Sequence, residues 1–339
     1  MTMVRANTFK LATGLCLAMS GVVGPALAQT KTVMIDGSST VFPIMEAVAE
    51  EFQKSKRSAV RVTVGISGTG GGFKKFCRGE TDISNGSRPI LKAEMDDCKK
   101  AGIEFYELPI AFDALTVAVS PKNTFIGECI TVVDLKKIWE PAAQGKVMSW
   151  SDVREGFPKQ PIRLYGAGSD SGTFDYFTEA VTGKAKASRG DYTASEDDNV
   201  LVQGIENDAN ALGYIPFSYY APQAAKMKAL AIDWGKGEGC VKPTLENVLA
   251  GKYNPMSRPL FVYVSKKAAE AKPEVREFVE FTMLNAVPLI KEVKYLQLPD
   301  SAYVLGLKKF KEGKTGTIFG GVPEVGLKIE DILSRESKS

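Results

Sequence analysis

The chain contains no histidine among its 339 residues. Catalytic serine and cysteine nucleophiles commonly take their general base from histidine, so Ser-His-Asp and Cys-His catalysis are excluded. Zinc, copper and iron sites that use histidine ligands are excluded as well. This single absence removes several large classes of hydrolase and metalloprotein from consideration.

Runs of one charge and clusters of cysteine are also missing. The 43 Lys and Arg residues nearly balance the 40 Asp and Glu residues, and no long basic run indicates a nucleic-acid partner. The cysteines beyond residue 30 lie too far apart for the close pairs of a four-cysteine zinc site. The sequence therefore predicts no metal, no cofactor and no nucleic-acid ligand.

The first 28 residues have the pattern of a secretory signal peptide. Arg5 and Lys10 precede an apolar stretch from 11 to 23, and the small residues Ala26 and Ala28 follow it. We expect cleavage after Ala28 and a periplasmic product that is not inserted in the membrane. A transmembrane anchor is the alternative, but the apolar stretch is short for one.

Four cysteines follow this leader, an even number that predicts two disulfides in an exported chain. Three pairings are possible from the sequence. We favour Cys77 with Cys98 and Cys129 with Cys240, and four free buried thiols are the alternative.

Short apolar strands alternate with helical patterns along the chain. Thr32 to Asp36 reads as a strand, and the apolar residues from Val41 to Phe52 follow the 3.6-residue period of a helix. This order predicts the α/β class, with a parallel sheet covered by helices. Two strongly β-forming segments, Asp113 to Pro121 and Arg258 to Ser265, suggest that the chain crosses twice between two lobes.

Three predicted strand-to-helix corners are rich in hydroxyl residues and glycine: "DGSST" (36–40), "SGTGGG" (67–72) and "GSDSGTF" (168–174). Each corner alone is typical of an ordinary helix cap. In open α/β sheets, however, ligands bind beyond the carboxyl ends of the strands, where such corners converge. Arg88, in "NGSRPI", follows a strand in the same way and could bind two oxygens of an anion, with a surface or capping role as its alternative. Together these features predict a site for a tetrahedral oxyanion.

In this order, "DGSSTVFPI", "ISGTGGGFKKF", "DISNGSRPI", "GSDSGTFDYF" and "NALGYIPFSYY" resemble the periplasmic phosphate-binding proteins of Pst-type ABC transporters. The resemblance covers nearly all of the chain beyond the leader. It implies a two-lobed periplasmic-binding-protein fold, type II-like, with residues 29–117 plus 258–339 as lobe 1, residues 118–257 as lobe 2, and the ligand in the inter-lobe cleft. It also implies a monomer without enzymatic activity that captures inorganic phosphate and delivers it to the permease subunits of an ABC transporter.

The same resemblance implies the ligand-binding residues. They are Ser38, Ser39, Thr40 and Val41 in the first corner, Ser67 and Gly68 in the second, and Ser171, Gly172 and Thr173 in the third.

The charged positions depart from the family pattern. Family members often have an aspartate where this chain has Arg88, and an arginine where it has Ala167. We therefore add Arg88 to the predicted ligand residues, and Asp170 or else Asp113 would have to accept the proton of phosphate. Asp170 as a simple helix cap is the alternative, so a preference for phosphate over sulfate is implied by the resemblance alone.

Two other functions fit the sequence less well. A binding protein for another oxyanion, such as sulfate, phosphonate or molybdate, would keep the same fold. An exported phosphate-ester hydrolase has serines and an arginine available, but no general base or metal cluster is evident.

Overall fold

The computed structural model describes residues 1–3, 31–322 and 324–338, and the α/β class is confirmed. The predicted signal peptide, residues 1–28, lies outside the described residues beyond its first three. The described strands are β1 (Lys31–Gly37), β2 (Val60–Val64), β3 (Ile83–Gly86), β4 (Phe105–Val119), β5 (Cys129–Thr131), β6 (Arg163–Ala167), β7 (Thr193–Ser195), β8 (Ala211–Pro216), β9 (Lys228–Ala229), β10 (Ala231–Asp233), β11 (Cys240–Val241), β12 (Ser257–Ser265) and β13 (Leu296–Gln297).

The helices carry the apolar faces that cover these strands. They are α1 (Phe42–Ser55), α2 (Gly68–Cys77), α3 (Lys92–Lys100), α4 (Val132–Trp139), α5 (Trp150–Val153), α6 (Gly172–Thr182), α7 (Asp198–Asn207), α8 (Phe217–Tyr220), α9 (Leu245–Leu249), α10 (Lys266–Ala271), α11 (Pro273–Glu292), α12 (Asp300–Glu312) and α13 (Ile329–Lys338). None of the helices that the structure describes combines the length and the apolar character that crossing a bilayer requires.

Helix α1 confirms the helix that the apolar period of the sequence predicted. Its buried face contains Ile44, Met45, Val48 and Phe52, which recur every three or four residues as a helix facing a core requires. Pro43 lies in its first turn, where the missing N–H leaves no helix bond unmade.

Strand β4 is longer than predicted because two apolar segments join into one strand. It runs for 15 residues from Phe105 to Val119, and every one of them is buried. Pro109, which cannot donate a ladder hydrogen bond, lies opposite Phe261 where the register with β12 shifts by one residue. The irregularity lets a central strand tolerate a proline, as bulges commonly do.

The main sheet has the strand order β2-β1-β3-β12-β4-β8-β6-β7. The first part of β4 pairs with β12, and the last part, from Leu115 to Val119, pairs with β8. One long strand therefore joins the two sets of strands that the predicted lobes contain, while residues from Lys31 onward form one compact unit. The division into two lobes remains a proposal.

Two disulfides form in the pairing favoured from the sequence. Cys77, at the end of α2, joins Cys98 of α3, and Cys129 of β5 joins Cys240 of β11. The second bond spans 111 residues and joins the two edge strands of a small sheet with the order β11-β10-β5. Closing so long a loop reduces the entropy of the unfolded chain.

Candidate functional site

The first and third predicted corners meet in the interior of the protein. Thr40, which follows β1, and Thr173, in the first turn of α6, are both fully buried, and their Oγ1 atoms lie 3.2 Å apart. The second corner lies beside the third, since the Gly70 amide donates to the Asp170 carbonyl oxygen at 2.8 Å. Loops that are distant in the sequence therefore converge at the carboxyl ends of β1, β2 and β6.

Glycine is required where the first corner passes β3. Gly37 has φ +137°, and a Cβ atom there would lie 2.4 Å from the Asn85 carbonyl oxygen. The chain then turns so that the Ser38 amide donates to the same oxygen at 3.0 Å. This close approach buries Ser38 and Ser39 at the start of α1.

The third corner is built by a helix cap and a second glycine. Ser171 is the N-cap of α6, and its Oγ accepts a hydrogen bond from the Thr173 amide at 3.1 Å. A Cβ atom on Gly172 would lie 2.4 Å from Thr69 Oγ1 and 2.5 Å from Ser87 Oγ. Any side chain here would therefore separate α6 from α2.

The Ser67 hydroxyl is engaged differently from the prediction. It donates to the Asp36 carboxylate, which also accepts from Lys75 Nζ at 2.6 Å. Gly68 follows with φ +73° and opens α2. The second corner thus presents the backbone of a helix start, while its serine side chain holds β1 and α2 together.

Arg258 is the cation at the centre of these corners, and the sequence reasoning did not identify it. Its Nη2 donates to Thr40 Oγ1 at 3.1 Å, to Thr173 Oγ1 at 2.9 Å and to Asp113 Oδ2 at 2.9 Å. The side chains of Arg258 and Asp113 are both 0% exposed. Among the residues described, Arg258 Nη1 has no hydrogen-bond partner although it is buried.

Arg258 and Asp113 hold each other in place. Asp113 Oδ2 also accepts from Arg258 Nε at 3.2 Å, and its Oδ1 accepts from the Phe217 amide at 3.2 Å. Burial raises the pKa of Asp113, and the guanidinium and the amide act against that rise. The sequence contained one indication of this pair. Arg258 begins the otherwise apolar strand "RPLFVYVS", and a charge buried in such a strand requires a partner of opposite charge.

A second buried carboxyl group, Asp198, contacts the first corner. It lies in the first turn of α7 and is 2% exposed, and the Ser39 side chain lowers its pKa. Burial raises the pKa of Asp198 to about 7, against the opposing effect of Ser39. Its Oδ2 atom is buried without a hydrogen-bond partner in the described part of the chain.

Arg88 lies in a different cluster from the one predicted. Its Nε donates to Asp175 Oδ2 at 2.7 Å, and Nη1 and Nη2 donate to the two Glu94 carboxylate oxygens at 2.8 and 2.7 Å. All three nitrogens therefore have acceptors within the protein. The guanidinium that meets the corners is that of Arg258 instead, so we no longer assign Arg88 an anion contact.

Asp170 also lies outside the buried cluster. Its side chain is 40% exposed and forms an ion pair with Lys74 at 2.8 Å. Between the two carboxylates considered from the sequence, Asp113 is thus the one that lies beside the hydroxyl groups.

Replacing Arg88 with methionine is expected to lower the free energy of unfolding by about 3 to 5 kcal/mol. The reason is that Asp175, 2% exposed, would remain buried without its cation. Denaturation with urea measures the change. Arg78→Met, which removes an exposed partner of Glu80, is the control and should have a far smaller effect. Equal losses in the two variants would contradict this prediction.

The site can bind an anion through hydroxyl groups, helix N-termini and one guanidinium. Three helices, α1, α2 and α6, begin at the converging corners, and the first amides of a helix favour negative charge. Within the described residues, no group of three or more acidic or cysteine side chains is arranged to hold a metal ion.

Comparison with known proteins gives consistent matches over most of the chain. The model of a PBP superfamily domain matches residues 24–286. The protein SphX of Synechococcus elongatus is 51% identical over 311 residues, which cover 92% of this chain and 90% of SphX. The phosphate-binding protein PstS of Staphylococcus haemolyticus is 35% identical over 279 residues, covering 82% of this chain and 84% of PstS.

A solved structure extends the comparison to three dimensions. The X-ray structure of a putative phosphate ABC transporter substrate-binding protein from Clostridium perfringens, with bound phosphate, matches with a TM-score of 0.66 and 27% identity. The match covers 79% of this chain and 100% of that chain. The two proteins therefore share one fold over the matched part of this chain.

Proposed function

Because the chain belongs to the PBP superfamily, and within it to the family of the PstS phosphate-binding proteins, we propose that it is an exported binding protein for inorganic phosphate. It captures the anion between its two lobes and delivers it to the permease subunits of an ABC transporter. The proposal includes no catalytic step.

The observation that carries this proposal is the convergence of Thr40, Thr173 and Arg258. Two hydroxyl groups and a guanidinium lie within 3.2 Å of one another in a fully buried cluster. Arg258 Nη1 is a buried charged donor with no partner in the described part of the chain, and such a donor is costly unless a ligand accepts its hydrogen bond. A tetrahedral oxyanion supplies several acceptors at once.

The position of the cluster explains how binding would close the protein. Thr40 belongs to proposed lobe 1 and Thr173 to proposed lobe 2, so an anion that contacts both hydroxyls links the lobes. The Gly70–Asp170 backbone hydrogen bond links the same two parts of the chain. The bound anion would thus stabilise the closed form in proportion to the contacts that only this form offers.

Export is supported by two independent features of the chain. The first 28 residues have the signal-peptide pattern, with expected cleavage after Ala28. Both disulfides suit an oxidising compartment such as the periplasm. We propose that the mature protein acts there as a monomer.

Calorimetric titration of the purified, ligand-stripped protein tests the proposal. Phosphate is expected to bind saturably at one site, and sulfate, titrated in parallel at pH 8.5, is expected to bind much more weakly. Saturable binding of sulfate without phosphate binding would favour the alternative of another oxyanion. The absence of heat with either anion, supported by an equally unchanged melting temperature, would overturn the proposed function.

A further inference from the structure

Tyr176 links the buried cluster to a distant part of the chain. It lies on α6, one turn after Thr173, and is 3% exposed. Its ring lies beside the Arg258 guanidinium, with 5.9 Å between the guanidinium carbon and the ring centroid. Its hydroxyl donates to the carbonyl oxygen of Ser257, the residue that precedes Arg258. Tyr176 therefore contacts both the guanidinium of Arg258 and the backbone that leads into it.

The same hydroxyl group accepts a hydrogen bond from the C-terminal segment, residues 324–338. The donor is the Gly326 amide, and the distance is 3.0 Å. A Cβ atom on Gly326 would lie 3.5 Å from Asn254 Oδ1 and 3.7 Å from Trp234 Cη2, so its backbone packs on both of these residues. Asn254 Oδ1 in turn accepts from the Ser257 hydroxyl at 3.1 Å. The segment thus covers the turn that leads into β12.

The rest of the C-terminal segment is anchored in another part of the fold. Helix α13 packs against α12, and Ile332 is 1% exposed. Arg335 donates to both Glu324 carboxylate oxygens at 2.5 and 2.6 Å, and its guanidinium lies over the Phe319 ring. Phe319 and α12 belong to proposed lobe 1, whereas Tyr176 belongs to proposed lobe 2. The hydrogen bond between the segment and Tyr176 therefore crosses from one proposed lobe to the other.

We propose that Tyr176 is a positioning residue that couples the C-terminal segment to the anion site, so that the segment holds α6 and Arg258 in the arrangement that binds the anion. This inference rests on the proposed function. The hydrogen bond from the segment and the anion contacts to Thr40 and Thr173 require the same approach of the two proposed lobes. Each therefore stabilises the other, and losing the hydrogen bond lowers the fraction of molecules that are ready to bind.

A purely structural role for Tyr176 is the alternative, because a buried tyrosine hydroxyl needs hydrogen-bond partners wherever it lies. Tyr303, on α12, provides the comparison. It is 4% exposed, donates to the Ile110 carbonyl oxygen at 2.9 Å and accepts from the Leu298 amide at 3.0 Å. Its hydroxyl group thus has the same kinds of partner as that of Tyr176, but all three residues belong to proposed lobe 1. Tyr303→Phe is therefore the matched control.

The first measurement is phosphate affinity, by calorimetry with sodium phosphate. Tyr176→Phe keeps the ring beside Arg258 but removes the hydroxyl, so the Ser257 carbonyl group and the Gly326 amide lose this partner. Phosphate is expected to bind about tenfold more weakly to this variant. Tyr303→Phe should lower the melting temperature to a similar extent and leave phosphate affinity at the wild-type value.

The second measurement is hydrogen exchange of the C-terminal segment, followed by mass spectrometry with and without phosphate. In wild type, saturating phosphate is expected to slow the exchange of residues 324–328 at least about fivefold, although none of the proposed anion contacts lies among them. This protection is expected to disappear in Tyr176→Phe and to persist in Tyr303→Phe. A tyrosine with only a structural role would not change how phosphate affects the segment.

The outcomes separate the two proposals. If wild type does not bind phosphate, the proposed function fails, and this inference fails with it. If wild type binds phosphate, then wild-type affinity in Tyr176→Phe, or exchange of the segment that phosphate does not slow, overturns the role of Tyr176 alone. If Tyr176→Phe does not fold, the wild-type exchange decides, because a segment that phosphate does not protect contradicts the coupling.

Discussion

Replacing Arg258 with methionine is expected to weaken phosphate binding by about a thousandfold or more. The variant loses the only cation that contacts both Thr40 and Thr173 in the described structure. Removing one partner of a buried, hydrogen-bonded charge pair at a binding site costs about 2 to 5 kcal/mol or more, and about 4 kcal/mol corresponds to a thousandfold change in affinity. Calorimetry with phosphate measures the loss.

This variant also leaves Asp113 buried without its partner, so part of the effect would come from destabilisation. Arg258→Lys separates the two effects, because lysine keeps the positive charge for Asp113 but cannot bridge several acceptors with a planar fork. Phosphate affinity should still fall at least about tenfold.

Arg189→Lys provides the matched control for that substitution. Arg189 is also buried and donates to the Ile138 and Val147 carbonyl oxygens and to Asp191, in a cluster separate from the site. Its replacement should lower the melting temperature without changing phosphate affinity. The assignment of Arg258 would be wrong if both lysine variants kept wild-type affinity.

Replacing Gly172 with alanine is expected to weaken phosphate binding by about tenfold to a hundredfold. The added methyl group would lie 2.4 Å from Thr69 Oγ1 and 2.5 Å from Ser87 Oγ. Both distances are far shorter than a non-bonded contact between carbon and oxygen. These two hydroxyl groups are buried and hydrogen-bonded to each other, with their oxygens 3.0 Å apart, so neither can move aside freely. The helix start that presents Thr173 must shift instead, away from Thr40.

The effect of Gly172→Ala should appear in binding more than in folding. The clash lies between the two proposed lobes, so the unliganded protein can relieve it by opening, whereas the liganded protein cannot. Denaturation without phosphate and calorimetry with phosphate measure the two quantities separately.

Gly306→Ala is the control for a tight helical glycine. Its Cβ would lie 2.7 Å from the flexible end of Met283 and at an ordinary contact distance of 3.6 Å from Leu108 Cδ2, on α12, which contributes no residue to the corners. Phosphate affinity should stay at the wild-type value. If Gly172→Ala also binds phosphate as wild type does, the close contact between α6 and α2 is not needed for binding.

The fold was predictable to the extent that local patterns determine it. The apolar period of α1 and the three hydroxyl-rich corners were visible in the sequence, because helix starts depend on residues within a few positions of one another. Strand β4 was only partly predicted, since the sequence analysis assigned the segment from Asp113 onward and the strand begins at Phe105. The number of cysteines and the expected compartment predicted two disulfides, but the favoured pairing was one of three that the sequence allows.

The charged residues of the site were not predictable in the same way. Arg88 and Arg258 both stand at the end or start of a strand. The apolar strand around Arg258 indicates that its charge needs a buried partner, but not that this arginine reaches the corners. The structure separates them: Arg88 pairs with Glu94 and Asp175, and Arg258 pairs with Asp113. Asp198 gave no signal beyond its place at a helix start.

By itself, the sequence determined the absence of histidine chemistry, the α/β alternation and the existence of three helix starts suited to an oxyanion. The tertiary structure alone decided which charges accompany them, because Arg258 lies 218 residues from Thr40 and 145 from Asp113 along the chain. Contacts over such separations depend on strand order and register, which no local pattern encodes. Burial makes the pairing of these side chains energetically important, because a charge or hydroxyl group without water must form its hydrogen bonds with the protein or with the ligand.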